Sequence, residues 1–183
     1  GTRMGPADAI FAGFADYYVP EARWPALAAE LVETGNWKRI DDYAETPPEG
    51  TLAGLRPEID AHFGGETLGD ILRALDASGS AFAEGARAAL GKGAPLSMAC
   101  AVEMIHRLRG SNSIRRALGL EYRFTFRAME HADFLEGIRA MIIDKDRSPK
   151  WRHAAPGDVT PLEVSRMLMQ LDDDALRLEE ELA

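Results

Sequence analysis

Cysteine is nearly missing from this 183-residue chain, with Cys100 alone. One thiol excludes an internal disulfide framework and a cysteine-rich zinc site. No apolar run approaches the roughly 18 to 20 residues that a bilayer-spanning helix needs. No N-terminal stretch shows the basic, apolar and small-residue order of a signal peptide. Positive charge is also short. Lys and Arg number 21 against 30 Asp and Glu, a net charge of −9, which argues against a general nucleic-acid binder. The phosphate-loop, dinucleotide, nucleophile-elbow and HExxH motifs do not occur. The histidines, His62, His106, His131 and His153, are spaced so that no two share a helical turn. No metal site and no catalytic residue are therefore assigned, and no cofactor is expected.

What is present is ordinary globular material. Hydrophobic residues make up 46% and charged residues 28%, too apolar for disorder over the whole chain and enough for one core. The negative charge is uneven. Residues 1–50 sum to −5, 51–110 to −1, 111–153 to +3 and 154–183 to −6. A local basic stretch can be a solvated helix face or an anion site, because screening limits the reach of distant charges to about 8–10 Å.

The apolar spacing predicts helices nearly throughout. Pro6 opens a short one, and Trp24, Leu27, Leu31 and Val32 share a face of the next, stopped at Gly35. Residues 44–57, with Pro47, Pro48 and Gly50, read as a loop, followed by a helix over 56–63. Thr67, Ser80 and Thr160 are candidate N-caps. A helix spans Leu96–Arg109. Ile114, Leu118, Tyr122, Phe126 and Met129 mark the apolar face of a long helix. Another helix is expected over Phe134–Ile143, and an acidic helix closes the chain. Cys100 reads as a small core residue. Phe14–Val19 is the one strand candidate. It cannot build a sheet by itself, so it either pairs with something outside this sequence or packs as an extended segment.

The most specific stretch runs from Leu120-Glu121-Tyr122-Arg123 through His131-Ala132-Asp133-Phe134-Leu135-Glu136-Gly137-Ile138-Arg139-Ala140 to Ile143-Asp144-Lys145-Asp146-Arg147-Ser148-Pro149-Lys150-Trp151. It resembles the C-terminal signature of the crotonase (enoyl-CoA hydratase/isomerase) superfamily, in which a Glu-Gly-x-x-Ala helix leads into a basic turn containing proline. The Ile-Asp-Lys-Asp-x-Ser-Pro-Lys-Trp version is similar to the 3-hydroxyisobutyryl-CoA hydrolase branch. The start, from Gly1-Thr2-Arg3-Met4-Gly5-Pro6-Ala7-Asp8-Ala9 to Ala12-Gly13-Phe14-Ala15-Asp16-Tyr17-Tyr18-Val19-Pro20, resembles the segment that follows the family's catalytic half.

The resemblance implies a mainly α chain: the C-terminal helical part of a crotonase-like α/β fold, with at most one short strand. Its expected organisation is the start of the helical region (1–43), a loop (44–57), a helical bundle carrying the basic turn (58–153) and acidic C-terminal helices (154–183). The opening residues lack an initiator Met. A tag scar before Met4 would explain that, but the resemblance favours a chain that starts inside a larger enzyme. In the family, the oxyanion-hole amides and catalytic carboxylates lie upstream of the position matching Gly1. The substrate implied is an acyl-CoA, with hydrolysis of 3-hydroxyisobutyryl-CoA in valine breakdown as the first reading and enoyl-CoA hydration or isomerisation as the second. A free-standing helical interaction domain is the reading from another class.

Lys145, Arg147, Lys150 and Arg152 surround the Ser-Pro turn. Of these, Lys145, Arg147 and Lys150, together with Trp151, are the candidate CoA-binding residues, since cations suit phosphates and an indole suits an adenine or an acyl wall. Phe134 is a second candidate wall. Glu136 and Gly137 are expected to be structural, with Glu136 paired to a nearby arginine. A homo-oligomer is expected, through self-association that includes Phe11, Phe14, Tyr17 and Tyr18. No nucleic-acid or membrane partner is expected. An alanine- and glycine-rich composition with arginine favoured over lysine suggests a bacterial source and a cytoplasmic location.

Overall fold

The structure is a computed structural model and describes residues 3–178. The chain divides into two compact units, the boundary falling between Asp60 and Ala61. No β-strand occurs among the described residues, in keeping with the mainly α expectation.

In the first unit, Pro6 starts helix α1 (Pro6–Phe11). Asp8 is the single buried residue among those described before Ala61. Its Oδ1 accepts the backbone N–H groups of Thr51 at 2.7 Å and Leu52 at 2.8 Å. It thereby caps α3 (Leu52–His62) from 43 residues away. A helix opens with unpaired N–H groups, and a carboxylate there satisfies them. The close approach requires Gly50, because a β-carbon there would lie 2.3 Å from Asp8 Oδ1. This remote cap corrects the expected loop of 44–57 and the helix start at 56. The helix begins at Leu52 and includes Pro57.

The strand candidate Phe14–Val19 forms no strand within this chain, and Phe14, Asp16 and Tyr17 are exposed. Tyr18 O accepts one backbone bond from Glu45 N at 2.9 Å, and Val19 O accepts from Trp24 Nε1 at 2.8 Å. One rung does not make a ladder. Helix α2 (Trp24–Thr34) ends on Gly35 at φ 62°. Its Leu27 and Leu31 are half-buried, but Trp24 and Val32 of the predicted face are exposed. Polar contacts tie α2 to the turn at Trp37–Asp42, with Glu30 accepting from Tyr43 Oη at 2.7 Å and pairing with Arg39.

The second unit holds the apolar core. Helices α4 (Leu68–Asp76) and α5 (Ala81–Leu90) bury Ile71, Leu75 and Ala83 together. Thr67 and Asp70 form the capping box of α4, and Ser80 caps α5 through Ala83 N at 3.2 Å. A second cluster joins α6 (Pro95–Leu108), α7 (Ile114–His131) and α9 (Pro161–Met167) around Leu96, Cys100, Leu120, Met167 and Leu168. Burial pushes the Cys100 thiol up to about 12, which makes it an inert core residue rather than a nucleophile.

Three further expectations change here. The predicted face of α7 is not its buried one. Ile114, Leu118, Phe126 and Met129 are exposed, while Leu120, Phe124 and Ala128 face the core. The helix is apolar on more than one side, and spacing alone does not say which side is covered. The helix expected over Phe134–Ile143 is α8 (Phe134–Ile138) followed by a π-turn at Arg139–Ile143. The closing helix capped by Thr160 is α9, which stops at Met167, and the acidic run after it is, in the described part, one 3₁₀ turn at Asp172–Asp174. Three adjacent aspartates disfavour an α-helix because like charges crowd one turn. Residues 179–183 lie outside the described residues.

Candidate functional site

The basic turn follows α8 and its π-turn. Widening to a π-turn pairs Asp144 N with Arg139 O at 2.8 Å, and Ala140 O then accepts from Arg147 N at 3.1 Å. Lys145 and Arg147 adopt left-handed φ values of 56° and 53°. That conformation costs an ordinary L-residue roughly 1–2 kcal/mol, so something must hold the turn closed.

Arg139 does this. Its guanidinium grips Glu136 with a two-pronged contact, 2.9 Å from Nε to Oε2 and 2.8 Å from Nη2 to Oε1. Nη1 reaches both Asp144 and Asp146, each at 2.7 Å. Nη2 also donates to Ser148 O at 3.2 Å. The carboxylates pass the order on. Glu136 Oε1 accepts from Lys150 N at 2.6 Å, and Asp146 Oδ1 accepts from Ser148 N at 2.8 Å. Hydrogen bonds from Arg139 and from Lys150 N hold the Glu136 carboxyl down at about 2, and Arg139 and Ser148 N lower Asp146 as well. The expected pairing of Glu136 with a nearby arginine is thus present.

The consequence is electrostatic. The segment contains as many carboxylates as outward cations, which would cancel one another if they paired. Arg139 engages Glu136, Asp144 and Asp146 itself. Lys145, Arg147 and Lys150 are exposed, and no side-chain hydrogen bond or ion pair of theirs occurs among the described residues. The turn therefore presents three cations without a direct carboxylate partner on a braced backbone, with four cations against three carboxylates in the segment.

Trp151 follows the turn and is half-buried. Its ring edge lies 3.8 Å from where a β-carbon on Gly137 would sit, an ordinary contact, so Gly137 gives the indole room without being forced by it. Trp151 lines an apolar cleft of about 320 Å³ with Phe124, Phe134, Ile138, Met141 and Ile142. Phe134, the second candidate wall, is thus in the same cleft. Arg152 is separated from this group. Its backbone N–H donates to buried Asp133 at 2.7 Å, its Nη1 donates to His131 O at 3.1 Å, and its side chain lines a different cleft.

Sequence reasoning assigned Glu136 a structural part but missed Arg139 as the hub and Asp133, Asp144 and Asp146 as braces. The signal available was the i, i+3 spacing of Glu136 and Arg139. Among the described residues, no group of three or more His, Cys, Asp or Glu side chains is placed to hold a metal ion. No helix there is long and apolar enough to cross a membrane.

An enoyl-CoA hydratase/isomerase family model matches residues 1–168. The chain belongs to the enoyl-CoA hydratase/isomerase family, within the crotonase superfamily. Its resemblance to the 3-hydroxyisobutyryl-CoA hydrolase branch is borne out by relatives of that name, among them the mitochondrial enzyme of Rattus norvegicus, 34% identical over 97% of this chain and 49% of the relative. Two crystal structures share the fold. An enoyl-CoA hydratase from Rhodobacter sphaeroides 2.4.1 is 51% identical with a TM-score of 0.86, over 97% of this chain and 51% of that one. A carnitinyl-CoA dehydratase from Mycobacterium thermoresistibile is 31% identical with a TM-score of 0.88, over 99% of this chain and 52% of that one. The chain spans about half the length of the curated relatives it matches.

Proposed function

We propose that this chain is the CoA-side portion of an acyl-CoA enzyme whose reaction is hydrolysis of 3-hydroxyisobutyryl-CoA to CoA and 3-hydroxyisobutyrate. The observation that carries the reading is the Arg139-braced turn, with Lys145, Arg147 and Lys150 unpaired beside Trp151 and its apolar cleft. Cations on a fixed backbone suit phosphates, since the backbone needs no further ordering on binding. Trp151 and Phe134 supply the apolar wall for an adenine or an acyl chain.

In this reading the bond-breaking groups belong to the longer protein. Backbone N–H groups there would hold the thioester oxygen as charge develops on it, and a carboxylate would act on the carbonyl or on water. The chain described here contributes binding, closure and contacts between copies in a homo-oligomer, in the cytoplasm.

The 51% identity to a protein described as an enoyl-CoA hydratase favours a second reading, hydration of an enoyl-CoA. The two are separated by assaying the full-length protein for thiol release from 3-hydroxyisobutyryl-CoA and for hydration of crotonyl-CoA. Thiol release as the faster reaction supports the hydrolase. Hydration without thiol release overturns it in favour of the hydratase.

A further inference from the structure

A second cleft, about 360 Å³, lies between α7, α9 and the segment after Trp151. It shares no lining residue with the turn or with the Trp151 cleft. Arg127, Arg152, Arg166 and His131 line it, with Met167 from the core beneath and Glu163 as its one carboxylate.

The charges in this cleft are unbalanced. None of the three arginines has a carboxylate partner among the described residues, as is also true of Arg116, Arg123 and Arg147, whereas Arg23, Arg39, Arg56, Arg73, Arg87, Arg107, Arg109 and Arg139 each have at least one. The guanidinium of Arg127 donates only to the carbonyls of Met167, Met169, Gln170 and Arg123, and that of Arg152 only to His131 O. The side chain of Arg166 makes no hydrogen bond or ion pair there. Glu163 offsets only one of the three arginine charges, and it makes no direct pair with any of them, since both its oxygens are engaged elsewhere. Oε2 accepts from Thr160 N at 2.9 Å and from Thr160 Oγ1 at 2.8 Å, and Oε1 lies 3.0 Å from Nε2 of the buried His153.

Like charges gathered in a concave surface raise the local concentration of a counter-ion, even on a protein of net −9. Guanidinium groups match oxyanions through paired, planar hydrogen bonds. We propose that the Arg127–Arg152–Arg166 cleft is a binding site for a compact oxyanion of two or more negative charges, separate from the basic turn assigned to CoA.

The test uses the chain with inorganic pyrophosphate as probe, followed by calorimetry and thermal melting at low salt, with citrate as the carboxylate arm. Saturable binding is expected. It should weaken about tenfold in Arg166→Gln and in Arg152→Gln, the scale of losing one charge-assisted hydrogen bond. Arg166→Gln removes no contact seen in the structure, so its unliganded melting temperature should be unchanged, which separates binding from folding. Lys145→Ala and Lys150→Ala should leave pyrophosphate affinity unchanged. Binding of pyrophosphate but not citrate, or of both, sets the ligand class and supports the site in either case. Absence of saturable binding, equal affinity in Arg166→Gln, or loss of affinity in Lys145→Ala and Lys150→Ala overturns it. Failure of CoA to bind the turn would leave these outcomes readable, since the cleft contains none of the turn's residues.

Discussion

The residues before Ala61 and those after it are held by different means. Among the described residues of the first unit the single buried one is a carboxylate, and the large aromatics Phe14, Trp24 and Trp37 are exposed. Order there comes from polar brackets: Asp8 on the start of α3, Glu30 on Arg39 and Tyr43, and Arg23 on the carbonyls of Asp42 and Tyr43. In the second unit Leu75, Leu96, Cys100 and Leu168 are fully buried, and polar residues cap helices around them. A polar bracket is directional and depends on a few atoms. An apolar core is distributed and tolerates the loss of any one polar partner. The candidate site stands on the second kind of foundation and uses the first kind only at its tip, in the Arg139 hub.

This contrast can be broken most forcefully in the core. Leu75→Ala should destabilise the second unit by about 2–5 kcal/mol, the range for a fully buried leucine. Phe14→Ala, at 77% exposure, should change stability by no more than about 0.5 kcal/mol. Thermal or urea unfolding measures both, and comparable losses would erase the distinction.

The next largest effect belongs to the first unit. Asp8→Ala leaves the amides of Thr51 and Leu52 without their acceptor and should cost about 1–3 kcal/mol. The loss should be local, read as faster hydrogen exchange at Thr51 and Leu52 with the Leu75 region unchanged. Global loosening would show that the two units do not respond separately.

At the site, Arg139→Met should free the Ser148 and Lys150 amides to exchange, because their acceptors Asp146 and Glu136 lose the group that holds them. The helices α6 and α7 should stay protected. Adding Asp144→Asn and Asp146→Asn should not restore that order, which separates the loss of a brace from the loss of charge balance.

The smallest effect is with pH. Glu136 is held near 2 mainly by Arg139, and Glu163 near 2 mainly by hydrogen bonds from Thr160, against an ordinary 4.5. A lowered carboxyl adds stability that is complete above its unfolded value and is lost as the folded group takes up a proton. The contribution should therefore be whole above about pH 4.5 and fade between there and about pH 2. Melting temperatures across that window should fall less steeply in Glu163→Gln than in the parent chain.

How much of this was legible in the sequence depended on distance along the chain. The caps Thr67, Ser80 and Thr160 act on residues three positions on, and the Glu136–Arg139 pair is one helical turn apart, so local spacing was enough. The start of α3 was hidden because its cap comes from Asp8, 43 residues earlier. The buried side of α7 was hidden because two of its sides are apolar, and only packing against α6 and α9 chooses between them. Lys145, Arg147, Lys150 and Trp151 were found from a family resemblance. That Arg139 leaves the cations unpaired required the folded turn, since in sequence the neighbouring aspartates could equally have paired with the lysines.

The most direct measurement is a calorimetric titration of CoA into this chain at low salt, repeated with Lys145→Ala/Lys150→Ala. Saturable binding that weakens at least tenfold in the double variant, with an unchanged melting temperature, is the predicted result. CoA bound equally well by both proteins would contradict the assignment of the turn as the CoA contact.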